Sequence, residues 1–266
     1  MGTGPGSPSG YLMMKSAPFD PDLAPAPVVG VTENWQPGGV PFHHHQRHQL
    51  MYSIKGVMHV ITSLGRWVLP PSRAIWISQG TDHTFMAKRP VDLHILYVDP
   101  QYEQVPMWGD CAVVNVTPLV RELVAASVQL PWDYPADSHS SRLVRVLLEE
   151  LQELPHAPVN LPEPRDPRGR KVVAALRADP SLRYSLTELA AMAAASPRTL
   201  ERIFQNETGI SLSEWQTRSR LLSALELLAE GTPVANAGAA VGYTHPSSFI
   251  AAFRGLFGTT PGNYFK

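Results

Sequence analysis

Between residues 28 and 100 the apolar side chains come in short β-branched and aromatic runs: QLMYSI, GVMHVIT, RWVLP, RAIWIS, HTFMA and DLHILYV. Gly and Pro separate them. Such runs predict strands and, taken together, an all-β sandwich or barrel. Past Pro106 the period lengthens to that of a helix. Leu119, Leu123, Ala126 and Leu130 share one helical face, with Val120, Val124 and Val128 beside it, and Pro131 ends that helix. Leu143, Leu147, Leu151 and Leu154 form a second stripe, widened by Val144 and Leu148. Stripes this wide can cover a core and a partner at once. The stretch PHAPVNLPEPRDPRGR, with five prolines, reads as a domain boundary, and the chain beyond it reads as helix throughout. Residues 1–24 are rich in Gly, Pro and Ser and are expected to form a disordered tail.

The helical C-terminal part contains one unit twice. Ser185 and Glu188 have capping-box spacing at the start of LTELAAMAA. A break is expected at Ala195–Ser196, where Ser196 caps a second helix with Pro197 in its first position. Leu200, Ile203 and Phe204 would be buried, and Gly209 would end it. Arg198, Thr199, Glu201 and Arg202 are left on the outer N-terminal turns. Two short helices with a tight turn, the second bearing exposed Arg, describe a helix-turn-helix. Ser211 and Glu214 open a longer helix closed by Gly231. Thr232 and Pro233 are expected to cap another short one. After YTHP, the stretch SSFIAAFRGLFG would turn Phe249, Ala252, Phe253 and Phe257 inward, with Ser247, Ser248, Ala251 and Arg254 outward. Leu212 to Glu230 is 19 residues, about 28 Å of helix. A DNA turn is about 34 Å, so a bridge of that order could hold two reading helices in successive major grooves.

From SLTELAAMAAASPRTLERIFQNETGISLSEWQ to PSSFIAAFRGLFGTTPGNYF the chain resembles the DNA-binding domain of the AraC/XylS family of transcription regulators. The resemblance implies two helix-turn-helix units joined by a long helix. It implies base contacts from Arg198, Glu201 and Arg202 in the first unit and from Pro246, Ser247 and Ala251 in the second. Arg can pair with guanine O6 and N7. Ser247 can reach a base or a phosphate, Pro246 and Ala251 offer apolar contact only, and Arg254 suits a phosphate. The second unit departs from the family pattern. Its first helix reads VANAGAAVGY, where Ala237, Gly238 and Ala239 are expected to pack little, and glycine costs about 1 kcal/mol inside a helix. A loosely folded second unit, reading DNA mainly by shape, is the expectation.

Composition narrows the setting. Of 266 residues, 44% are apolar and 17% charged, which suits packed domains rather than a disordered polymer. The net charge of −1 hides two unlike parts: residues 165–266 carry 12 Lys and Arg against 8 Asp and Glu, the remainder 10 against 15. A basic C-terminal part points weakly to a polyanion. A single cysteine, Cys111, excludes an internal disulfide framework and a Cys-based zinc site. No apolar run approaches the ~18 residues of a membrane span, and the N-terminus does not read as a secretory signal, so a cytoplasmic location is expected.

Histidines supply the other candidate chemistry. In PFHHHQRHQLMYSIKG, His43, His45 and Gln49 have the same parity and would share a strand face. The pattern ending at Gly56 resembles the first motif of cupin barrels, with Gln where a metal-binding cupin usually has Glu. WISQGTDH resembles the second motif, with Gly80 in the turn and His83 as the third histidine. The resemblance implies a sensing barrel whose His43, His45, Gln49 and His83 hold a divalent transition metal or line an organic effector's pocket; three imidazoles suit Zn, Fe, Ni or Cu. His44 and His48 are expected at the surface. His59 and His94, with Trp35, Trp67 and Trp76, are expected to be structural. Cys111 is expected to be a small hydrophobe. No nucleophile-elbow, Walker or dinucleotide motif is present.

The expected fold is thus a multidomain α+β chain. A cupin-like β-barrel covers 25–108, a helical linker and dimerisation segment 109–164, and an all-α DNA-binding domain 165–266. The expected function is a sequence-specific, homodimeric regulator of promoter DNA modulated by a small molecule or metal, touching RNA polymerase if it activates. Two alternatives are a metal-dependent cupin enzyme (oxygenase or isomerase) carrying a DNA-binding domain, and an architectural DNA binder with a dead sensor.

Overall fold

The computed structural model describes residues 20–264, except 72, 104, 107 and 155–159. Residues 1–19, most of the expected tail, lie outside the described residues. The last residues of that tail are ordered. Pro21–Leu23 form a 3-10 turn capped by Asp20, and the buried guanidinium of Arg47 donates to the carbonyls of Ala24 at 2.5 Å and Ala26 at 2.9 Å. A buried cation needs acceptors, and this segment supplies them.

Among the described residues ten strands follow: β1 (Val28–Trp35), β2 (Gly38–Gly39), β3 (His48–Lys55), β4 (Met58–Thr62), β5 (Gly65–Leu69), β6 (Arg73–Ile77), β7 (His83–Ala87), β8 (Val91–Val98), β9 (Cys111–Asn115) and β10 (Asn160–Leu161). They form two antiparallel five-stranded sheets, ordered β1-β8-β3-β6-β9 and β10-β5-β4-β7-β2. Leu50, Met58, Leu69, Ile75, Trp76 and Leu93 are fully buried in the core, with Ile75 and Trp76 on opposite faces of β6. Two strands lie where the sequence suggested none. β9, expected within the helical segment, is an edge strand paired with β6, its Val114 opposite Ala74. β10, expected within the proline-rich boundary, pairs with β5. Both are short, and only a neighbouring strand's free hydrogen-bonding edge makes them strands.

α1 (Pro118–Ser127) and α2 (His139–Gln152) are capped by the Thr117 and Ser138 side chains. α1 is rotated from its expected setting. Val120, Val124 and Ser127 are buried, whereas Leu119 is 52% exposed. The anchor is Val128, whose backbone sits where a Cβ on Gly30 of β1 would be, 2.8 Å away. Beyond it, Trp132 donates to the Gly30 carbonyl and Tyr134 to that of Val28. Val120, Val124 and Val128, spaced four apart, therefore face inward.

Six helices follow among the described residues: α3 (Pro167–Ala178), α4 (Leu186–Met192), α5 (Pro197–Thr208), α6 (Leu212–Ala229), α7 (Val234–Ala240) and α8 (Pro246–Phe257). α6, 18 residues or about 27 Å long, packs against α5, α7 and α8 through Leu212, Trp215, Leu221, Leu222, Leu225 and Leu228. The α4–α5 pair and the α7–α8 pair are two helix-turn-helix units bridged by α6. Among the described residues no helix is long and apolar enough to cross a membrane.

Candidate nucleic-acid interface and histidine cluster

Local sequence sets the first unit. Ser185 and Glu188 complete both halves of their capping box. Ser196 caps α5, with Pro197 at its start, and Gly209 closes it at φ +74°. The turn itself falls earlier than expected, at Ala194, whose φ is +51°; the Ala195 amide returns to the Ala190 carbonyl at 2.9 Å. With Leu200, Ile203 and Phe204 buried, α5 turns Arg198, Glu201 and Arg202 to solvent. Neither arginine makes an ion pair or hydrogen bond among the described residues. Thr199 is half-buried, its hydroxyl 2.9 Å from that of Ser196. The same outer face continues through Gln205 and Asn206, which were not among the expected contacts. Their amides can hydrogen-bond a base edge, and their spacing of three and four from Arg202 was the available signal.

The second unit is better packed than its composition suggests. Ala237 and Gly238 are buried. A Cβ on Gly238 would lie 2.9 Å from the Phe249 ring, so glycine there lets α7 approach α8 closely. Neither helix has a side-chain cap: Pro233, not Thr232, holds the cap position of α7, and His245 that of α8. Phe249, Phe253 and Phe257 face inward, leaving Pro246, Ser247, Ser248, Ala251 and Arg254 exposed. One connection between the units was not legible in the sequence. Arg183, just before α4, donates to the Gly242 carbonyl just before α8, at 2.9 and 2.6 Å.

The histidines meet, but not by strand parity. His43–Arg47 are not strand; β3 begins at His48. Instead His43 forms a two-bond backbone bridge with His83, each amide 2.9 Å from the other's carbonyl. The rings of His43 and His83 then lie 4.5 Å apart, with His45 at 5.0 and 5.7 Å from them. One ligand nitrogen from each falls within 4.8 Å of the others. Nδ1 of His43 faces the Pro41 carbonyl, and Nδ1 of His83 the Thr81 carbonyl, both at 2.9 Å. A proton on each Nδ1 leaves the Nε2 lone pair free, the arrangement that metal-binding histidines use. Nε2 of His45 and of His83 are buried without a partner. Burial, helped by His43 and His45, pulls His83 down to about 4; burial first and then His43 lowers His45. Gln49 is buried with Oε1 unpartnered, and its side chain hydrogen-bonds Tyr97, whose ring lies 5.0 Å from that of His45.

The remaining candidates lie elsewhere in the sheet half. His44 is exposed beside Asp82 at 3.0 Å. His48, expected at the surface, is half-buried: it stacks on Trp76 at 5.1 Å and accepts the Gln79 amide. Trp67 and Trp76 are buried, and Trp35 is half-buried edge-on to Phe85. His94 is held low by burial. Burial raises Cys111 to about 12, so its thiol stays protonated. His59 is buried, with Nε2 3.4 Å from Glu226 of α6; Lys88 reaches the same carboxylate at 2.6 Å, and Arg89 reaches Glu230 at 2.8 Å. Burial pulls Glu226 up, but His59 and Lys88 together outweigh it and hold it below the usual carboxylate range.

Residues 189–266 match the family model described as a helix-turn-helix domain. The HTH-type transcriptional regulator NimR of Escherichia coli K12 is 30% identical over 224 residues, covering 84% of this chain and 81% of NimR. An AraC-like transcription regulator of Streptomyces lividans is 34% identical over 126 residues, covering 47% of this chain and 41% of that protein. Among solved structures, ToxT from Vibrio cholerae aligns over 90% of this chain and 98% of its own, with a TM-score of 0.39 at 10% identity.

Proposed function

The chain belongs to the AraC-type family of DNA-binding transcription regulators, and on that premise we propose which residues read DNA and what controls the reading. α5 and α8 enter successive major grooves of promoter DNA, held apart by α6. Arg198 and Arg202 pair with guanine edges, Glu201 contacts a base beside them, and Thr199, whose amide and hydroxyl are both engaged by the Ser196 side chain, lies at the same helix start. In α8, Pro246 and Ala251 make apolar contacts, Ser247 and Ser248 reach a base or phosphate, and Arg254 takes a phosphate. The observation that carries this reading is the pair of exposed arginines on α5 that make no hydrogen bond or ion pair among the described residues. Footprinting with purified protein tests it. A bounded, salt-sensitive footprint is expected, and Arg202→Ala should cost about 1–3 kcal/mol on that site and little on random DNA. Equal loss on both would remove Arg202 from base reading.

The sheet half is a cupin-like sensor. His43, His45 and His83 hold a divalent transition metal, with Gln49 supporting the pocket through Tyr97, or the same pocket takes an organic effector. Unpartnered buried Nε2 atoms support the metal reading. Two nitrogens on one ion at about 2.0–2.1 Å lie at most about 4.2 Å apart, so small ring rotations would bring all three on to one ion. A bound metal would supply a charge and a fixed geometry to this loop. Zn, Ni or Fe salts should raise the melting temperature of native protein but not of His83→Ala; no shift with any of them would leave only the organic effector. An effector alters promoter occupancy only through unequal affinity for two arrangements, and a coupling of about 1–3 kcal/mol suffices. Homodimerisation runs through α1 and α2, where Leu119 and Val146 are exposed. The protein works in the cytoplasm, and touches RNA polymerase if it activates. The relatives are named as transcription regulators, so the enzyme reading of the histidines is set aside.

A further inference from the structure

A second polar cavity, of about 210 Å³, lies where the sensing sheets meet the DNA-binding helices. One wall is β4, β5 and Lys88; the other is α3 and α6. Arg66 of β5 and Arg177 of α3 face each other across it, closely enough that the Arg177 charge adds to burial in lowering Arg66. Like charges are not brought together in a half-buried site without something to offset them. Part of the offset is present. Arg177 Nη1 donates to Glu163 at 2.7 Å, and Glu226 is taken by His59 and Lys88. Three cations, Arg66, Lys88 and Arg177, still face two carboxylates, Glu163 and Glu226. The surplus is one positive charge.

The donors left over point to the same conclusion. Arg66 Nε and Arg177 Nη2 are buried and have no hydrogen-bond partner among the described residues. Arg177 is held in place from behind, its guanidinium 5.6 Å from the Trp215 ring centre. The hydroxyl-bearing residues Ser219 and Ser223 of α6 add polar lining. A buried guanidinium N–H without an acceptor is costly, and a charge-assisted bond to an oxyanion is among the stronger ones available.

We infer that this cavity binds a small molecule carrying one oxyanionic group, a carboxylate or a phosphate, whose oxygens accept from Arg66 Nε and Arg177 Nη2. The site is separate from the histidine cluster and does not depend on the DNA contacts. Its two arginines come from different halves of the chain, so it is whole only when the sheets are docked on α6. An anion that binds there favours the docked arrangement over any undocked one. It is therefore an input to the helix that spaces the two reading heads.

Anomalous diffraction on crystals of the full chain gives the direct test. Selenate stands for the phosphate source and 4-bromobenzoate for the carboxylate source. A selenium or bromine peak within hydrogen-bonding distance of both Arg66 and Arg177 is expected for at least one of them, and which one appears identifies the source. Peaks confined to other sites, or none, would overturn the inference. In solution, phosphate or benzoate at fixed ionic strength should give a saturating rise in melting temperature. That rise should fall severalfold in Arg66→Gln and Arg177→Gln and persist when Arg198 and Arg202 are both changed to Gln. A rise of the same size in all variants, or one lost only with Arg198 and Arg202, would place the anion elsewhere. Should Arg66→Gln and Arg177→Gln fail to fold, the crystals of the unaltered chain decide.

Discussion

Ala194 is the one residue other than glycine with a positive φ among the described residues, +51°. An L-side chain in that conformation costs about 1–2 kcal/mol, and here the methyl is exposed. Glycine would relieve the strain while adding freedom to the unfolded chain. Ala194→Gly should therefore stabilise the protein by about 0.5–1 kcal/mol, read from denaturant unfolding; a loss of stability would show the turn is not strained. His83 carries a pH signature. Its folded value of about 4 lies below the unfolded ~6.5 because the ring is buried. The unfolded chain then binds a proton that the folded one refuses between those values. Stability is complete above about pH 6.5 and falls as pH drops toward 4, by up to about 3 kcal/mol. Metal-free native protein should show this slope between pH 7 and 4.5, and His83→Gln should flatten it. The three clustered histidines could be named from the sequence, because a recurring motif carried them. The reason they meet could not: a backbone bridge between His43 and His83 is a long-range event that parity along one strand cannot describe.

At the scale of elements, two glycines in the second unit make opposite cases. Gly238 in α7 has the Phe249 ring 2.9 Å from where a Cβ would sit, whereas Gly255 in α8 has nothing within 4 Å. Gly238→Ala gains about 1 kcal/mol of helix propensity but overpacks a close approach at about 1–3 kcal/mol, so it should destabilise the unit and weaken DNA binding. Gly255→Ala should gain about 0.5–1 kcal/mol of stability. Thermal unfolding of the pair checks both signs; if Gly238→Ala is also stabilising, α7 does not pack on α8 as described. Caps and helix ends were legible wherever the signal is local: Ser185 with Glu188, Ser196 with Pro197, and Gly209. Ser211 caps α6, but Glu214 turns to Arg218 at 2.6 Å rather than completing a box. The rotation of α1 was not legible, since an apolar stripe that wide allows more than one setting and contact with Gly30 selects it.

Across the whole molecule, two further links bear on how the two units are held. Arg183 links the loop before α4 to the loop before α8. The sheets grip α6 itself through the Glu226 and Glu230 ion pairs. If the Arg183 strut fixes the angle between the reading heads, Arg183→Gln should weaken binding to a full site carrying two half-sites several-fold more than binding to one half-site. Gel-shift titrations with the two duplexes measure that ratio, and an equal loss on both would confine Arg183 to local stability. The grip of the sheets on α6 ties them to the helix that bridges the two units, because α6 packs on β10 as well as on α5, α7 and α8.

Short-range chemistry wrote part of this protein into the order of its residues: strand-like runs followed by helical ones, the duplicated helix pair, its caps, and an outer face with Arg198 and Arg202. These follow from side-chain period and from hydrogen bonds spanning three or four residues. Tertiary structure alone decided which edges β9 and β10 complete, how α1 is rotated, why Gly238 is tolerated, and where Arg66 meets Arg177. Each of those depends on groups far apart in the chain whose approach is set by packing, and no local pattern encodes that distance.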